Sequence, residues 1–204
     1  IALSLVGSEM CIRDSSTSGH RIKLRFFGSG DFTNDLMNSK DIISDAYENG
    51  VPMGSDLILK EDQSPSFFIW AAKDPSKTSL QRIQIIKGWV EDGEGKEAVI
   101  DVACSDGLSV DPDTNRCPDN GATVDLTNCE ITPNKGAKEL SVVWKDNNFS
   151  QDQRAFYYVR VLENPTCRWS TYDAIRAGVQ PRPGMKATIQ DRAWSSPIWY
   201  QPNT

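Results

Sequence analysis

Residues with catalytic potential are few in this 204-residue chain. Its single histidine, His20, follows Gly19 at the start of a strand-like segment, with no second histidine or carboxylate motif beside it. A histidine in that setting is more often a solvated residue at a strand end than a ligand or a general base. The sequence also contains no GxSxG, Walker or HExxH motif. We therefore expect no complete catalytic centre and no catalytic residue in this chain.

Roughly the last 40 residues offer binding chemistry instead, because arginines are interleaved there with aromatic side chains. Such a composition lines saccharide or anion sites through ring stacking and bidentate hydrogen bonds. The same side chains can equally attach an extended C-terminal tail to a sheet, and we favour that structural interpretation for large aromatic residues in a small domain. The cluster comprises Arg168, Trp169, Tyr172, Arg192, Trp194, Trp199 and Tyr200.

Cysteine usage indicates an oxidising compartment. Cys11 lies in an N-terminal segment that is treated separately below. The other four cysteines form no CxxC pair, and their spacings fit no common zinc site; they are Cys104, Cys117, Cys129 and Cys167. In a turn-rich acidic chain they favour two disulfides. Of the three possible connectivities we favour Cys104–Cys117, which closes an Asp/Pro/Asn-rich loop. The second pair, Cys129–Cys167, then ties a strand start to the segment after Pro165. We expect a periplasmic or extracellular location.

Composition restricts the class of protein further. A net charge of -6 and a sequence pI near 4.9 argue against a nucleic-acid binder, which normally has a basic face. The mean hydropathy of -0.47, without an apolar run of roughly 20 residues, argues against a membrane span. Six Trp, seven Phe and five Tyr argue against a disordered tail. A folded acidic domain remains.

Alternation of apolar and polar residues dominates the elements that must position these groups. In residues 21–27, Ile22, Leu24 and Phe26 share one face, as in a half-buried strand. Five further segments have strand composition, and an Asp92-Gly93 turn joins the second and third of them as a hairpin. These segments are 66–72, 80–90, 98–104, 139–144 and 155–163.

Helical signals are confined to two short segments. Residues 40–50 have helical spacing and end at Gly50, and residues 170–178 end at Gly178 with Ser170 as the expected N-cap. Together with the strands, they predict a mainly β fold, an antiparallel β-sandwich-like domain with two short helices.

The first 15 residues do not resemble the rest of the domain. Residues 5–14, LVGSEMCIRD, resemble one reading frame of a transposase-type sequencing adapter. We expect residues 1–15 to be a non-native, disordered segment and residues 16–204 to be a single β-rich C-terminal domain of a larger protein. A native, poorly ordered N-terminal arm is the alternative.

Several longer strings resemble a bacterial family, domain of unknown function 3604. They cover residues 16–202 and read STSGHRIKLRFFG, ENGVPMGSDL, FIWAAKDP, LQRIQIIKGWVEDG, AFYYVRVLENPTCRWSTYDAIRAG and ATIQDRAWSSPIWY. Members of this family resemble metal-dependent hydrolases related to the polymerase-and-histidinol-phosphatase (PHP) fold, and many carry export signals. The resemblance implies a divalent metal in a His-rich barrel upstream of this chain. The H-x-H motif of that barrel has no counterpart here, so no cofactor or metal ligand is carried over.

The resemblance also implies a function. It suggests a non-catalytic C-terminal domain of a truncated, exported PHP-like hydrolase, inactive by itself, which packs on the missing barrel and helps wall its active site. Loops next to strands, where site residues tend to sit, supply the candidates for that wall. The alternative is a free-standing carbohydrate- or ligand-binding module that uses the C-terminal Arg/Trp/Tyr cluster. The wall candidates are Met53, Asp56, Arg168, Trp169, Tyr172, Asp173, Arg192 and Trp194.

Overall fold

A computed structural model of the chain describes residues 14–180 and 183–202. The expected disordered segment, residues 1–15, therefore lies largely outside the described residues. Thirteen strands are described. In chain order they are β1 (Ser15–Thr17), β2 (Lys23–Ser29), β3 (Val51–Pro52), β4 (Asp56–Leu57), β5 (Ser66–Ala72), β6 (Leu80–Glu91), β7 (Glu94–Cys104), β8 (Glu139–Lys145), β9 (Ala155–Glu163), β10 (Thr166–Cys167), β11 (Thr188–Ile189), β12 (Arg192–Ser195) and β13 (Ile198–Tyr200).

Two sheets in a curled, sandwich-like arrangement organise the described strands. In the first sheet β9 pairs with β6 along one edge and with β12 and β13 along the other, while β7 lies outside β6. Strands β1 and β4 extend this sheet beyond β12 and β13, and β13–β4 is the parallel pair among otherwise antiparallel described pairs. The second sheet has the order β3-β2-β5-β8, and β10 and β11 form a separate ribbon. The antiparallel sandwich-like fold expected from the sequence is confirmed.

The long hairpin β6–β7 shows why the sequence folds in this way locally. Asp92 and Gly93 connect the strands with φ angles of 53° and 80°. Two successive residues in the left-handed region match the right-handed twist of paired strands, and Asp-Gly is a favoured sequence for such a turn. The turn predicted from the sequence thus sets the register of the longest strand pair.

The core fills the space between the facing sides of the two sheets. Alternate residues of each strand point inward, as the period of two requires, and Phe26, Phe67, Ile85 and Tyr157 are completely buried. The Phe67 ring lies 4.6 Å from the Tyr157 ring and 5.3 Å from the Phe26 ring, between centroids. Aromatic contacts therefore connect the two sheets through their centres.

The helices lie outside the sandwich. A 3-10 helix (Asn34–Asn38) and α1 (Ile42–Asn49) cover the outer face of the second sheet, where Ala46 packs among Phe27, Phe32 and Phe68. Helix α2 (Trp169–Ala177) follows strand β10.

The expected N-cap of α2, Ser170, is wrong. The helix begins at Trp169, and its N-cap is Arg168, which makes no side-chain capping bond within the described chain. The Arg168 N–H donates instead to the Ala187 carbonyl at 2.9 Å, and the Thr171 hydroxyl donates to the same carbonyl at 2.7 Å. These two bonds to Ala187 keep Arg168 in an extended conformation, so the helix begins directly after it. This tertiary contact overrides the local preference for a serine N-cap.

Both expected disulfides are present in the favoured connectivity. Cys104–Cys117 closes the loop that follows β7, and Cys129–Cys167 ties the long connection between β7 and β8 to β10. Each bridge joins a loop that has little regular structure to the end of a strand. The bridges therefore restrain the segments with the fewest ladder hydrogen bonds.

An ion pair is buried between the two sheets. Lys87 Nζ on β6 lies 2.6 Å from Asp146 Oδ2, just after β8, and donates to the Asn148 carbonyl at 3.0 Å. The Tyr157 hydroxyl donates to the same Asp146 oxygen at 2.7 Å. Burial, with the neighbouring Asp146 carboxylate, raises the pKa of the Tyr157 phenol, so it remains a donor.

Replacement of Lys87 by methionine tests how strongly the fold depends on this pair. Lys87→Met keeps an unbranched side chain that is one atom shorter, but it leaves the Asp146 carboxylate buried without its cation. We expect the free energy of unfolding, measured by urea denaturation, to fall by about 3–5 kcal/mol. The exposed neighbour Lys145 provides the matched control, since Lys145→Met should change stability by no more than about 0.5 kcal/mol. Equal losses in the two variants would contradict the assignment.

Candidate functional site

A cleft of about 760 Å³ lies at one end of the sandwich. Four parts of the chain line it: the segment before β2 with Ser18 and His20, the loop 76–78 before β6, the connection between β7 and β8 with Cys129 and Ile131, and the region of β10, α2 and β11. The Cys129–Cys167 disulfide is part of its wall, so the long connection between β7 and β8 is held at the cleft. Residues far apart in the sequence therefore meet at one surface.

His20 is placed between two carboxylates in this cleft. Its Nδ1 lies 2.5 Å from Glu163 Oε2, and its Nε2 lies 3.4 Å from Asp191 Oδ2. The Ser18 hydroxyl donates to the other oxygen of Asp191 at 2.7 Å, which fixes that carboxylate. The expectation of a solvated histidine at a strand end is therefore wrong, because the His20 side chain is only 16% exposed and both of its nitrogens face acids.

Sequence reasoning missed the carboxylates that accompany His20. Glu163 and Asp191 follow His20 by far more residues than any local motif spans, and only the antiparallel pairing of β9 with β12 brings them together. One signal was available for Glu163. It continues the alternation of inward residues Tyr157, Val159 and Val161 on β9, which places a carboxylate on the buried face.

Glu163 is completely buried, and this determines its electrostatics. Burial raises the pKa of the Glu163 carboxyl, while the hydrogen bond and charge of His20 oppose that shift. Its second oxygen, Oε1, is buried and has no hydrogen-bond partner within the described part of the chain. Glu163 therefore keeps its proton to a higher pH than an exposed glutamate does, and its Oε1 has an unused hydrogen-bonding position.

The N-terminal end of α2 forms the opposite wall. Arg168, Trp169 and Tyr172 all line the cleft, and the rings of Trp169 and Tyr172 lie 6.1 Å apart at 50°. Trp169 is 75% exposed, and Ile131 and Met185, which also line the cleft, are exposed as well. Arg168 Nε is buried and finds no hydrogen-bond partner among residues 14–180 and 183–202. This wall thus combines an exposed apolar rim with a guanidinium that has a free donor.

The remaining predicted wall residues lie elsewhere. Met53 is buried in the core, Asp56 is exposed on β4, and Asp173 is exposed on α2. Arg192 and Trp194 are neighbours on β12, with the guanidinium carbon 5.8 Å from the indole centroid. Neither belongs to the described lining of the cleft. The structure therefore brings together three of the eight candidates, Arg168, Trp169 and Tyr172.

Two aromatic residues of the C-terminal cluster have structural contacts. The Trp199 ring lies 5.3 Å from the Phe156 ring, and the Tyr200 hydroxyl donates to the Gln151 carbonyl at 2.8 Å. These contacts attach β13 to the sheet. The C-terminal Arg/Trp/Tyr cluster of the sequence is therefore divided among the cleft, strand β12 and strand β13.

The chemistry of the site does not fit a metal ion. Each ring nitrogen of His20 faces a carboxylate oxygen, which leaves neither nitrogen directed at a shared ligand position. Within the described residues, no group of three or more His, Cys, Asp or Glu side chains could hold a metal ion.

No helix in the described parts of the chain is long and apolar enough to cross a membrane.

The fold and the cleft define the class: a disulfide-bonded, antiparallel β-sandwich domain with a charged cleft at one end. The chain belongs to the family described as Protein of unknown function (DUF3604), which matches residues 14–202. The matched range begins at Asp14. The backbone carbonyl of Asp14 accepts a hydrogen bond from the Ser196 N–H at 3.1 Å. No curated protein and no solved structure matches the chain.

The buried Glu163 carboxyl predicts a pH-dependent stability. Because its pKa is raised in the folded state, its stabilising contribution is present below the ordinary glutamate pKa of about 4.3 and is lost as the pH rises through the raised value. We expect the wild-type protein to lose stability relative to Glu163→Gln as the pH increases from about 4 to about 7. Urea denaturation at several pH values measures this difference.

The exposed residue Glu97 supplies the control for that measurement. Glu97→Gln should differ from the wild-type protein by a nearly constant free energy of unfolding across the same pH range. If the Glu163→Gln and wild-type curves run parallel instead, burial does not control the Glu163 proton.

Proposed function

We propose that this chain is a non-catalytic, β-rich domain of an exported DUF3604 protein. In this proposal it packs against a PHP-like, metal-dependent hydrolase domain in the N-terminal part of the same protein and supplies part of the wall of its active site. The observation that carries the proposal is the exposed apolar rim of the cleft, formed by Trp169, Met185 and Ile131.

Exposed apolar side chains gathered around one cleft favour a contact with another protein surface. Interface cores are enriched in aromatic residues and methionine, and scattered apolar exposure would need no such explanation. The charged lining residues Arg168 and His20 are less exposed, since both are half-buried. A domain docked on the rim would therefore cover the apolar side chains and leave the charged groups facing the enclosed space.

The role proposed for this chain is substrate positioning. A guanidinium with an unused N–H donor can orient an anionic group of a substrate, and fixed orientation contributes to rate even where the chemistry occurs elsewhere. Any divalent metal would be held by the other domain and would activate water there. The two disulfides are compatible with an exported protein, since they persist in oxidising compartments.

Reconstitution with the N-terminal part of the protein tests this proposal. The genomic DNA upstream of the codon for Ser16 should encode a segment with an H-x-H pair, and that segment, expressed separately, should bind this chain with micromolar affinity in calorimetry. Trp169→Ala should weaken binding by about tenfold or more, since a central tryptophan often dominates an interface. Trp199→Ala, an exposed tryptophan on β13, is the matched control and should leave the affinity unchanged. An upstream segment that fails to bind, or equal losses in both variants, would reject the proposed packing.

A second candidate function is supported by Arg168. Its Nε is buried and has no partner in the described chain, and Arg168 lines the cleft together with Trp169 and Tyr172, a composition suited to a carbohydrate or other ligand with a carboxylate group. In this case the domain would be a binding module in its own right. It would use only the part of the C-terminal cluster that lines the cleft.

Titration with trigalacturonic acid separates the two candidates. If the domain binds ligands alone, the sugar acid should quench tryptophan fluorescence, and Arg168→Gln should weaken binding by about tenfold or more. Arg176→Gln, in the last turn of the same helix, keeps the overall charge change but alters an exposed residue and should bind normally. A lack of any fluorescence response at millimolar concentration would leave the domain-packing function as the better candidate.

A further inference from the structure

A second cleft, of about 490 Å³, lies between the inner faces of the two sheets. It is lined by β6 and β7 of the first sheet, by β8 of the second, and by the loop after β8. None of the residues considered for the proposed function contributes to it. Its described lining differs in kind from that of the first cleft, because two tryptophans, Trp89 and Trp144, replace the arginine and histidine.

The tryptophans form preorganised aromatic walls. Both are half-buried, and both pack against the main core on one side while they line the cleft on the other. The Trp144 ring stacks on Phe67 with centroids 6.2 Å apart at 19°, and the Lys87 ammonium lies 5.3 Å from the Trp89 centroid. These contacts hold the rings before any ligand arrives, so binding would cost little side-chain entropy.

The charges in this cleft compensate one another. Lys87 is paired with Asp146 at 2.6 Å, and the exposed lining residues Lys145 and Glu91 carry opposite charges. Two cations and two anions therefore line the cleft, and the charges of the buried pair largely cancel, so the cleft attracts an ion only weakly. The same balance of charge does not disfavour an uncharged ligand.

Amide side chains complete the rim. Asn115, Asn147, Asn148 and Gln153 line the cleft, and each amide offers both a donor and an acceptor. Sugar hydroxyls need both kinds of partner. Asn115 lies in the loop that the Cys104–Cys117 disulfide closes, and its backbone carbonyl accepts a hydrogen bond at 3.0 Å from the Asp101 N–H on β7. These two links hold Asn115 in place.

We propose that this second cleft binds a neutral saccharide. Trp89 and Trp144 would contact the apolar faces of the sugar rings, and the amide rim would bond the hydroxyls. The Lys87–Asp146 pair forms the polar floor. A cleft with aromatic walls, balanced charges and neutral amides favours a polyhydroxylated, uncharged ligand over a phosphate or a carboxylate.

Calorimetry with neutral hexasaccharides tests the proposal on the full, oxidised chain. The probes are cellohexaose, maltohexaose and xylohexaose, with hexagalacturonic acid as the charged comparison. We expect at least one neutral probe to bind with a dissociation constant of about 1 mM or tighter. Trp89→Ala and Trp144→Ala should each weaken that binding by about tenfold or more, while circular dichroism verifies that the variants are folded.

Two further variants keep the outcome clear if a tryptophan variant fails to fold. Asn147 is exposed in the loop after β8, so Asn147→Ala should weaken binding about three- to tenfold without loss of structure. Trp199→Ala, outside the cleft, is the control and should bind normally. Failure of all three neutral probes at about 5 mM, or undiminished binding by folded Trp89→Ala and Asn147→Ala, would overturn the proposal. Because these residues line only the second cleft, either result leaves the proposed function of the first cleft unaffected.

Discussion

The pairing of β9 along both of its edges is the constraint on which the rest of the structure depends. Strand β6 bonds one edge over most of its length, and β12 and β13 share the other edge. The two buried charge clusters are attached to this strand, through Tyr157 near its start and Glu163 at its end. A shift of register by one residue would turn both side chains to the outer face, so the sheet ladder and the clefts are specified together.

The Lys87–Asp146 cluster and the His20–Glu163 cluster differ in how far they compensate the free-energy cost of burying charge. Lys87 and Asp146 form a close ion pair, and the Asp146 carboxylate also accepts a hydrogen bond from the Tyr157 hydroxyl. Such a pair is a fixed part of the core. Glu163 has one oxygen bound to His20 and one without a partner in the described chain. Incomplete satisfaction is costly for stability, and it is most often retained where a group has another use. The unsatisfied Glu163 oxygen is thus the feature of the His20 end that packing alone does not explain.

The sequence is sufficient to predict those features that depend on local periodicity. Alternation identified the first long strand and strand composition the other five, the Asp92-Gly93 turn identified the central hairpin, and loop composition favoured the observed disulfide pairing. The strands of two to four residues are too short to show a period, and they are stabilised by their neighbours. The environment of His20 was not predictable, because it depends on pairing across the sheet. Trp89 and Trp144 have the spacing of ordinary core residues, and the sequence does not show that both also line a cleft.

The disulfides connect stability with binding in this fold. Cys129 and Cys167 lie in the wall of the first cleft, and Cys104–Cys117 closes the loop that carries Asn115 to the second. Loops that line a site usually lose conformational freedom when a ligand binds, which reduces affinity. Here the bridges restrict that freedom before binding occurs. An oxidising compartment would therefore do more than preserve the fold, since it would also maintain both clefts in a geometry that a ligand or a neighbouring domain can recognise without further ordering.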